Sequence, residues 1–598
     1  MAIDQRACLN ARRAELGFGN LFVDVEVPAV MHRVHSALYK HLSGQPHAEL
    51  EGETMVFPQV EGVYAGLSIT RILAPFMFTF ISGVLYPIIC WAVVSEKSAK
   101  LREIMVMSGL TRAPYWIITW THYFILYLFQ SLIVFLFCFL MPKMGAAAKV
   151  ESGLGFKLFA NHDPFVLVLL WISFGAAIIS FSCFTTTLFN DKYVAIIVPF
   201  FVIEICGITA YVLTDNAVQI GANADAGLTL AGLVPFYAFT NAVQVIAAAT
   251  GDPNSKNGVR LSTASIGRGI YSPIRNSILL LFFDCFLYTL LFVYCDMVLP
   301  VGPGVKRHPL FFLKRSFWKP GASALDIASC LKPAEPAEPE DVSAERARVA
   351  TGDDLSDQVR CLGLRKVYPG ASEPAVKNVQ FGIKHSECFG LLGSNGAGKS
   401  TTIHMLCGLL APSEGTVVVR APDGDPIDTR TNLTSVQAAM GVCPQDNLLW
   451  GDLTGDEHLQ FFGRLRGLKE KSKENGKSLK KQIEYWLRRV NLATRSTRKK
   501  PSHAYSGGMK RRLSVACSFI GNPRLVYLDE PSTGLDPESR RQLWYSIRAA
   551  QCDKSIILTT HALEEADALC NRALARSNAR ARLSATACQH CAHSTMCS

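Results

Sequence analysis

Five apolar runs, each long enough to cross a lipid bilayer as a helix, constrain the first half of this chain more than any other feature. A membrane-spanning helix needs about 20 predominantly apolar residues, and shorter runs are typical of the core helices of soluble proteins. The pattern therefore predicts an α-helical transmembrane domain. The five runs are Ile72–Val94, Trp116–Met141, Phe165–Leu188, Tyr193–Leu213 and Ile278–Leu299.

A sixth, weaker run extends over Gly227–Ala249 and contains Pro235, Asn241 and Gln244. Because the proline and the two amides interrupt its apolar character, the run favours a re-entrant or half-buried helical pair over a lipid-facing helix. A full membrane span stays open as the alternative.

Two carboxylates, Glu204 and Asp284, lie inside the apolar runs. A carboxylate is costly in hydrocarbon and usually faces the interior of a helix bundle or a polar cavity. A packing or interhelical hydrogen-bonding role is favoured for both, and a substrate-binding or proton-carrying role is the alternative.

The second half of the chain has a different composition, because the density of charged residues rises after residue 305. The net charge is +11 over 598 residues, but Lys and Arg form no single basic block with interleaved aromatic residues. Such a block is typical of nucleic-acid binding, so we expect no nucleic-acid partner. The 18 cysteines show no spacing typical of a disulfide framework.

A stretch rich in Pro, Ala, Glu and Asp joins the two halves. It occupies residues 323–357 and includes PAEPAEPEDVSAE. This composition predicts an extended, self-repelling linker without a packed core.

The segment LLGSNGAGKSTT carries the strongest signal for chemistry. Gly393, Gly398, Lys399 and Ser400 satisfy the phosphate-loop pattern, with an apolar strand before the loop and a helix after it. Backbone N–H groups can then surround phosphate oxygens, the lysine can reach the outer phosphates, and the serine can ligate Mg²⁺. The residues predicted to bind ATP here are Gly393, Ser394, Asn395, Gly396, Ala397, Gly398, Lys399, Ser400 and Thr401.

The segment LVYLDEP supplies an acidic pair. The four apolar residues Leu525–Leu528 predict a buried parallel strand that ends at Asp529 and Glu530. Asp529 is placed to hold Mg²⁺, and Glu530, one residue further, can polarise the attacking water as a general base.

The segment YSGGMKRRLSVACSFI lies between these two motifs. Ser506, Gly507 and Gly508 precede an amphipathic helix, whose N-terminus suits a phosphate group. The segment resembles the signature sequence of ABC ATPases, with Tyr505 and Met509 where most members have Leu and Gln.

This resemblance implies roles for four further residues. Tyr368 matches the aromatic residue that stacks on adenine, and Gln445 matches the glutamine that touches Mg²⁺ and couples to the membrane domain. Asp536 belongs to the loop that crosses to the partner domain, and His561 matches the histidine that senses the terminal phosphate. The resemblance therefore implies that Glu530, His561 and Gln445 are catalytic and that Ser400, Gln445 and Asp529 surround the metal.

The membrane domain narrows the resemblance to subfamily A of the ABC transporters. The segment EKSAKLREIMVMSGL followed by YWIITW resembles the cytosolic loop and next helix of that subfamily, and LLLFFDCFLYTLL resembles its last span. The resemblance implies ATP and Mg²⁺ as cofactors, a second ABC half as partner and membrane lipids as substrate. The alternatives are export of another hydrophobic small molecule or peptide, and a truncated, non-transporting or inactive protein.

The expected organisation is therefore multi-domain, with an α-helical membrane domain followed by an α/β P-loop ATPase domain in the cytosol. Counting back through five spans places the N-terminal segment outside the cell or in a lumen and the loop at 95–115 in the cytosol. The expected domains are 1–66, a remnant of an external domain; 67–322, a transmembrane domain of ABC-2 type; 323–357, the linker; 358–572, the ATP-binding domain; and 573–598, a divergent tail.

Both ends of the chain depart from the subfamily pattern. Subfamily members begin with a span and a large external domain, and residues 1–66 resemble only the end of that domain. After residue 572 they continue with an apolar strand and a glycine turn, whereas this chain reads ALARSNARARLSATACQHCAHSTMCS. A frame-shifted tail that lacks the closing strands is favoured over a genuine divergent one. A minor alternative is a zinc site at Cys588, His590, Cys591 and His593.

Overall fold

The computed structural model describes residues 69–147, 163–220, 231–251, 272–299, 308–313, 339–351, 357–420, 426–430, 432–470, 478–576 and 581–584. These residues form two compact units. The first contains the described residues up to Gly83 together with Phe129–Phe174 and Val202–Phe283, and the second contains Val84–Leu128, Gly175–Phe201 and the rest of the chain from Asp284. The predicted external segment at 1–66 and the predicted zinc ligands lie outside the described residues.

The regular secondary structure described in the membrane half is all helical. Its helices are α1 (Ile69–Gly83), α2 (Leu85–Ser98), α3 (Leu101–Met107), α4 (Arg112–Ala147), α5 (Pro164–Thr186), α6 (Val194–Ile220), α7 (Pro235–Gly251) and α8 (Ser272–Val298). In the described part, four stretches are long and apolar enough to cross a membrane: Pro75–Ser98, Arg112–Cys138, Pro164–Thr186 and Ile274–Val298. They coincide with four of the five predicted spans.

The other two apolar runs do not give a described apolar stretch as long as these four. The run predicted as the fourth span lies in α6, whose described apolar part, Val194–Ala210, falls short of the length of the other four. The weaker run forms the single helix α7, which begins at Pro235. The residues that would form the first arm of a re-entrant pair lie largely outside the described part of the chain.

Aromatic packing organises the first unit. The Trp171 ring meets Phe239 of α7 edge-on, at 5.0 Å between ring centroids, and Phe78 of α1 at 5.9 Å. The Thr79 and Thr240 hydroxyls share a buried hydrogen bond of 2.8 Å, which joins the same two helices. Because a buried hydroxyl without a partner is costly, this pair fixes how α1 and α7 face each other.

The two carboxylates in the apolar runs differ in environment. Glu204 is half-buried in α6. Asp284 in α8 is fully buried, and neither of its carboxylate oxygens accepts a hydrogen bond from a described residue.

In the second unit, contacts of Arg102 join the ends of several helices. Arg102 of α3 is 2.8 Å from Asp296 of α8, and its guanidinium lies 4.8 Å from the Trp116 ring centroid and 5.1 Å from that of Tyr115. The Tyr115 hydroxyl donates to Glu96 at 2.8 Å. Arg102 thereby ties α3 to α4 and α8, and the Tyr115–Glu96 hydrogen bond ties α4 to α2.

The ATPase half contains two sheets with helices around them. Its strands are β1 (Asp357–Lys366), β2 (Val376–Lys384), β3 (Cys388–Gly393), β4 (Glu414–Arg420), β5 (Pro426–Asp428), β6 (Met440–Cys443), β7 (Leu525–Asp529), β8 (Ser555–Thr560), β9 (Arg572–Arg576) and β10 (Ala581–Ser584). Its helices are α9 (Glu340–Thr351), α10 (Lys399–Leu406), α11 (Leu433–Ala439), α12 (Gly455–Leu465), α13 (Leu479–Arg489), α14 (Arg495–Arg498), α15 (Gly507–Phe519), α16 (Pro537–Ala550) and α17 (Leu563–Leu569).

The larger sheet carries the nucleotide motifs. Its strand order is β10-β9-β3-β8-β7-β6, and strands β9, β3, β8, β7 and β6 are parallel. Strands β7 and β8 are buried along their whole length, as expected for apolar runs in a sheet covered on both faces. Since parallel strands end at the same edge, the loops after β3, β7 and β8 come together there. The smaller sheet is antiparallel, with the order β2-β1-β4-β5.

Part of the predicted linker is a packed helix, so the prediction of an extended segment is wrong there. Helix α9 buries Val342, Glu345 and Val349. Its charged residues pair with the sheet: Arg348 lies 3.0 Å from Asp357, and Glu345 lies 3.2 Å from Arg572. Charged residues at the spacing of a helix face explain why a composition rich in Glu and Ala folds here instead of staying extended.

The closing strands are also present, contrary to the expectation for the tail. Strand β9 runs parallel to β3, and β10 pairs antiparallel with β9. Although ALAR is less apolar than the expected strand, Ala573 and Leu574 of β9 are both buried. The sheet therefore extends past residue 572.

Helix α3 is seated on the ATPase half within the second unit. Leu101, Ile104 and Met107 belong to the same buried cluster as the ATPase core. A Cβ atom on Gly109 would lie 3.0 Å from the Cα of Ala438, so the backbone approaches closely there. Lys100 adds an exposed ion pair of 3.3 Å with Asp446.

Candidate functional site

The loop between β3 and α10 has the shape of a phosphate cradle. Gly396 and Gly398 both have φ of +83°, a conformation that residues with a Cβ seldom adopt. Ser394, Asn395 and Gly396 are exposed, and a methyl group placed on Gly396 would meet no described atom within 4 Å. Ala397 is buried and anchors the loop.

Lys399, the first residue of α10, lies against this loop. Its ammonium group donates to the carbonyl oxygens of Gly393 at 2.7 Å and Ser394 at 3.1 Å. The side chain is 7% exposed, and its Nζ is 4.0 Å from Glu530 Oε1. The lysine therefore lies at the junction of the loop and the acidic pair.

Oxygen donors meet beside the start of α10. Ser400 Oγ lies 3.4 Å from Asp529 Oδ1, and the Thr559 hydroxyl donates to the same carboxylate oxygen. Asp529 is buried at the end of β7. A hydroxyl and a carboxylate are the ligand types that Mg²⁺ prefers, usually with several waters and phosphate oxygens.

Glu530 is where most of the predicted catalytic residues meet. Its Oε2 accepts from Gln445 Nε2 at 3.4 Å and from Thr533 Oγ1 at 3.3 Å. Its Oε1 lies 3.5 Å from His561 Nδ1 and 4.0 Å from Lys399 Nζ. The structure thus brings together groups from four segments that are far apart in the sequence.

The backbone holds Glu530 in an unusual conformation. Its φ is +48°, in the left-handed region that non-glycine residues rarely occupy. The Glu530 N–H donates to the Thr559 carbonyl at 3.1 Å and hydroxyl at 3.0 Å. These two hydrogen bonds offset part of the backbone strain and aim the carboxylate at the site.

The predicted adenine-stacking residue lies on the open side. Tyr368 is 40% exposed, and its hydroxyl is 3.3 Å from the Thr401 hydroxyl of α10. The Lys366 ammonium lies 5.7 Å from the centre of its ring. The ring therefore offers an accessible aromatic face next to the phosphate loop.

The signature residues and Asp536 occupy helix starts. The Ser506 hydroxyl caps α15 by accepting from Met509 N at 3.3 Å, and Asp536 caps α16 by accepting from Ser539 N at 3.0 Å. A methyl group on Gly507 would meet no described atom within 4 Å, so this helix start is open to a partner. The hydrogen bond from the Ser539 backbone lowers the pKa of Asp536.

A cavity of about 130 Å³ links the metal-ligand side to α3. Burial lowers the pKa of His404 in its wall, against the opposing effect of the Asp529 carboxylate. This cavity was not predictable from the sequence, because its walls come from both halves of the chain. Its lining residues are Lys100, Glu103, Met107, Ser400, Ile403, His404, Leu409, Val442, Pro444, Gln445, Asp446, Leu448 and Asp529.

Sequence reasoning also missed Thr559 and Arg511. Thr559 at the end of β8 bonds both Asp529 and the Glu530 backbone. Arg511 is 2% exposed within α15. The signal for Arg511 is its spacing, because it precedes Val515 by one helical turn and so lies on the apolar face of the helix. An arginine on such a face needs partners that compensate its buried charge.

Comparison with known proteins matches two family models to this chain. The model described as "ABC transporter" matches residues 376–533, which include the phosphate loop, the signature segment and the acidic pair. The model described as "ABC-2 family transporter protein" matches residues 54–294.

Curated relatives match nearly the whole chain. "ABC transporter A family member 10" of Arabidopsis thaliana is 33% identical over 92% of this chain and 57% of its own length, and "ABC transporter A family member 12" of the same plant is 31% identical over 93% and 58%. The chain therefore spans somewhat more than half the length of these relatives. Among solved structures, an ATP-binding subunit of an ABC transporter is 26% identical, covering 38% of this chain and 90% of its own, with a TM-score of 0.34.

Proposed function

Since the chain belongs to subfamily A of the ABC transporters, we propose that it couples ATP hydrolysis to the movement of a substrate across a membrane. It is a multi-pass membrane protein whose ATPase domain is cytosolic. The observation that carries the proposal is the meeting of Lys399, Gln445 and His561 at the Glu530 carboxylate.

The roles proposed for these residues follow from their chemistry. Glu530 accepts a proton from the attacking water, and His561, 3.5 Å away, orients toward the terminal phosphate. When ATP binds, the Lys399 ammonium exchanges the loop carbonyl oxygens of Gly393 and Ser394 for the outer phosphate oxygens. The negatively charged phosphate attracts the ammonium more strongly than neutral carbonyl groups do.

The donor set fits a magnesium ion held by Ser400, Asp529 and Gln445. When bound, Mg²⁺ neutralises negative charge on the phosphate oxygens. The chain's own contribution is to fix the spacing of these ligands, since Asp529 is buried and held by the Thr559 hydroxyl.

We further propose that hydrolysis needs a second ABC half. Ser506 and Gly507 are exposed at the start of α15, and the Ser506 hydroxyl caps its own helix instead of contacting the phosphate loop. An exposed helix N-terminus with an open glycine is suited to a phosphate supplied by another domain. The partner is either a second copy, a different half or another part of a longer chain.

The proposed substrates are membrane lipids, on the strength of the subfamily resemblance. Another hydrophobic small molecule or a peptide is the alternative cargo. ATPase activity measured in liposomes of defined composition separates the two. Stimulation by particular lipids supports lipid transport, whereas stimulation only by an added amphiphile in an inert lipid background contradicts it.

Replacing Glu530 with Gln tests the hydrolytic assignment. The amide keeps the size of the side chain but cannot accept the proton, so we expect ATP turnover by the purified protein to fall at least about 100-fold. Binding of a fluorescent ATP analogue is expected to persist. Glu538→Gln, eight residues away and exposed in α16, is the matched control. Turnover at the parental rate in the Glu530 variant would reject the assignment.

A further inference from the structure

Arg511 makes an unusually complete set of hydrogen bonds to one side of the site. Its Nη1 donates to the carbonyl oxygens of Pro444 at 2.6 Å and Gln445 at 2.9 Å. These two residues directly follow β6 and position the Gln445 amide. Arg511 thus holds the backbone that carries one of the proposed metal-side ligands.

The same guanidinium also holds the acidic segment after β7. Its Nε donates to Pro531 O at 3.0 Å, and its Nη2 donates to the carbonyl oxygens of Glu530 at 2.8 Å and Asp529. An arginine side chain offers five N–H groups in a fixed plane. Here they are all directed at five carbonyl oxygens on two separate segments.

The electrostatic setting of Arg511 argues for a role in the site. The side chain is 2% exposed, and no carboxylate of a described residue lies within ion-pairing distance of its guanidinium. A buried charge without a counter-ion is costly, and apolar residues of similar size often stabilise a fold better. Backbone carbonyl dipoles compensate the charge only while both segments keep this spacing.

The position of Arg511 connects the segments of the hydrolytic site with the helix proposed to meet the partner half. It lies on α15, the helix whose first turn carries the exposed Ser506 and Gly507. The side chains of Gln445 and Glu530 are joined by a hydrogen bond of 3.4 Å. A hydrogen bond of this length is too weak to fix their spacing by itself. Any displacement of α15 is therefore passed to both segments through one rigid, planar group.

We propose that Arg511 is a positioning residue of the hydrolytic site. It sets the distance between Gln445 and the Asp529–Glu530 pair, and it links that distance to the helix that meets the partner half. This inference rests on the proposed ATP hydrolysis. It adds a residue that acts through its neighbours and does not touch the nucleotide.

The test replaces Arg511 with Lys in the full chain. The lysine keeps the positive charge but has one nitrogen, so it cannot hold both segments in one plane. A misplacement of about 1 Å costs roughly 100-fold in rate, so we expect kcat to fall about 100-fold while the KM for ATP changes less than about threefold. The Mg²⁺ concentration for half-maximal activity is expected to rise.

Arg512→Lys is the matched control. Arg512 is the next residue of the same helix, and its Nη1 donates to Val490 O at 3.1 Å and Asn491 O at 3.4 Å, neither of which is a predicted site residue. Turnover is expressed per site that binds mant-ATP, a fluorescent ATP analogue, so that partial unfolding of either variant cancels. A control with parental kcat and parental Mg²⁺ dependence is expected.

The outcomes separate this inference from the proposed function. An unsubstituted chain that fails to hydrolyse ATP even when it is paired with a second ABC half rejects the proposed function. If the unsubstituted chain is active and Arg511→Lys keeps its kcat and Mg²⁺ dependence per binding site, the positioning role is overturned. A variant that melts earlier but has parental kcat and Mg²⁺ dependence per site also overturns it, since that result describes a purely structural arginine.

Discussion

Among single residues, the role proposed for Tyr368 is the easiest to isolate, because its ring is exposed and its hydroxyl lies 3.3 Å from the Thr401 hydroxyl. Stacking of an aromatic ring on a nucleobase contributes about 1–3 kcal/mol. We therefore expect Tyr368→Ala to raise the KM for ATP about tenfold and to leave kcat nearly unchanged. Steady-state kinetics provides the measurement.

The control for this substitution is Tyr485→Ala. Tyr485 is similarly exposed, at 46%, but lies on α13. It is expected to leave KM as it is. Equal effects of the two substitutions would show that the Tyr368 effect does not come from adenine stacking.

Residues in local motifs were predictable from the sequence, and residues that act across the fold were not. The phosphate loop needs only a strand, a glycine turn and a helix start, all contained within 388–406. Arg511 and Thr559 act on segments 18 to 67 residues away along the chain, as their contacts with Asp529, Glu530 and Pro444 show. A single sequence does not record which carbonyl oxygens a buried arginine will meet.

At the scale of elements, helix α9 is held on the ATPase domain by an ion network. Arg348 pairs with Glu345 at 2.8 Å and with the buried Asp357 at 3.0 Å. Removing one partner of a largely buried pair leaves an uncompensated charge and costs about 3 kcal/mol. Hydrogen exchange measured by mass spectrometry over 339–351 in Arg348→Ala is therefore expected to be about 100-fold faster than in the parent.

The control and the pH dependence make this prediction specific. Arg488→Ala removes an exposed pair with Glu484 and is expected to change exchange over 339–351 by less than about twofold. Burial alone would raise the pKa of Glu345, but hydrogen bonds from Arg348 and the Gly382 N–H, with the charge of Arg572, hold it below 4.5. A carboxylate whose pKa is lowered by folding stabilises the fold above pH 4.5, and this stabilisation is lost as the pH falls. The effect of Arg348→Ala should therefore shrink below pH 4.5, and an undiminished effect there would contradict the network.

Composition misjudged α9 and the closing strands for the same physical reason. PEDVSAERARV is charged enough to look like a linker, but in a helix Val342, Glu345 and Val349 share one face and are buried together. Strand β9 is short of large apolar residues, yet it gains a full parallel ladder from β3. In both cases tertiary partners, and not local composition, decide the structure.

The cluster around Arg102 predicts how α3 communicates with the membrane helices. Arg102 is buried between Trp116 and Asp296, so a movement of α3 displaces the end of α8. We expect Arg102→Ala to keep basal ATP turnover but to reduce its stimulation by lipid about tenfold, within the usual range of coupling energies. ATPase assays with and without liposomes measure both rates.

The control for the Arg102 substitution is Arg112→Ala. Arg112 lies 4.0 Å from the same Asp296 carboxylate but is 34% exposed, so its contribution is smaller. It is expected to keep at least about half of the stimulation. Loss of basal turnover in Arg102→Ala would mean that the cluster supports the ATPase itself and not its coupling.

At the scale of the whole molecule, substitutions in the phosphate loop and in the signature segment are expected to impair two different steps, nucleotide binding and ATP turnover. We propose that the phosphate loop and acidic pair act on the nucleotide that the chain itself binds, whereas Ser506 is exposed and its hydroxyl accepts from Met509 N of its own helix. Lys399→Ala is therefore expected to lose nucleotide binding, and Ser506→Arg is expected to bind mant-ATP normally but to lose turnover. An added arginine at Ser506 blocks the approach of a phosphate held by the partner without touching the chain's own loop.

Combining the two variants then tests whether two copies of this chain form the shared hydrolytic site. In a mixed dimer, the phosphate loop of the Ser506→Arg chain meets the intact signature of the Lys399→Ala chain, which restores one complete site of two. Co-expression is expected to recover turnover up to about half of the parental value per mixed dimer, measured after sequential affinity purification on two different tags. Two inactive variants that stay inactive in a purified mixed dimer would contradict a self-paired site. Full turnover by Ser506→Arg alone would instead contradict the shared site, because the hydrolytic machinery would then be complete within one chain.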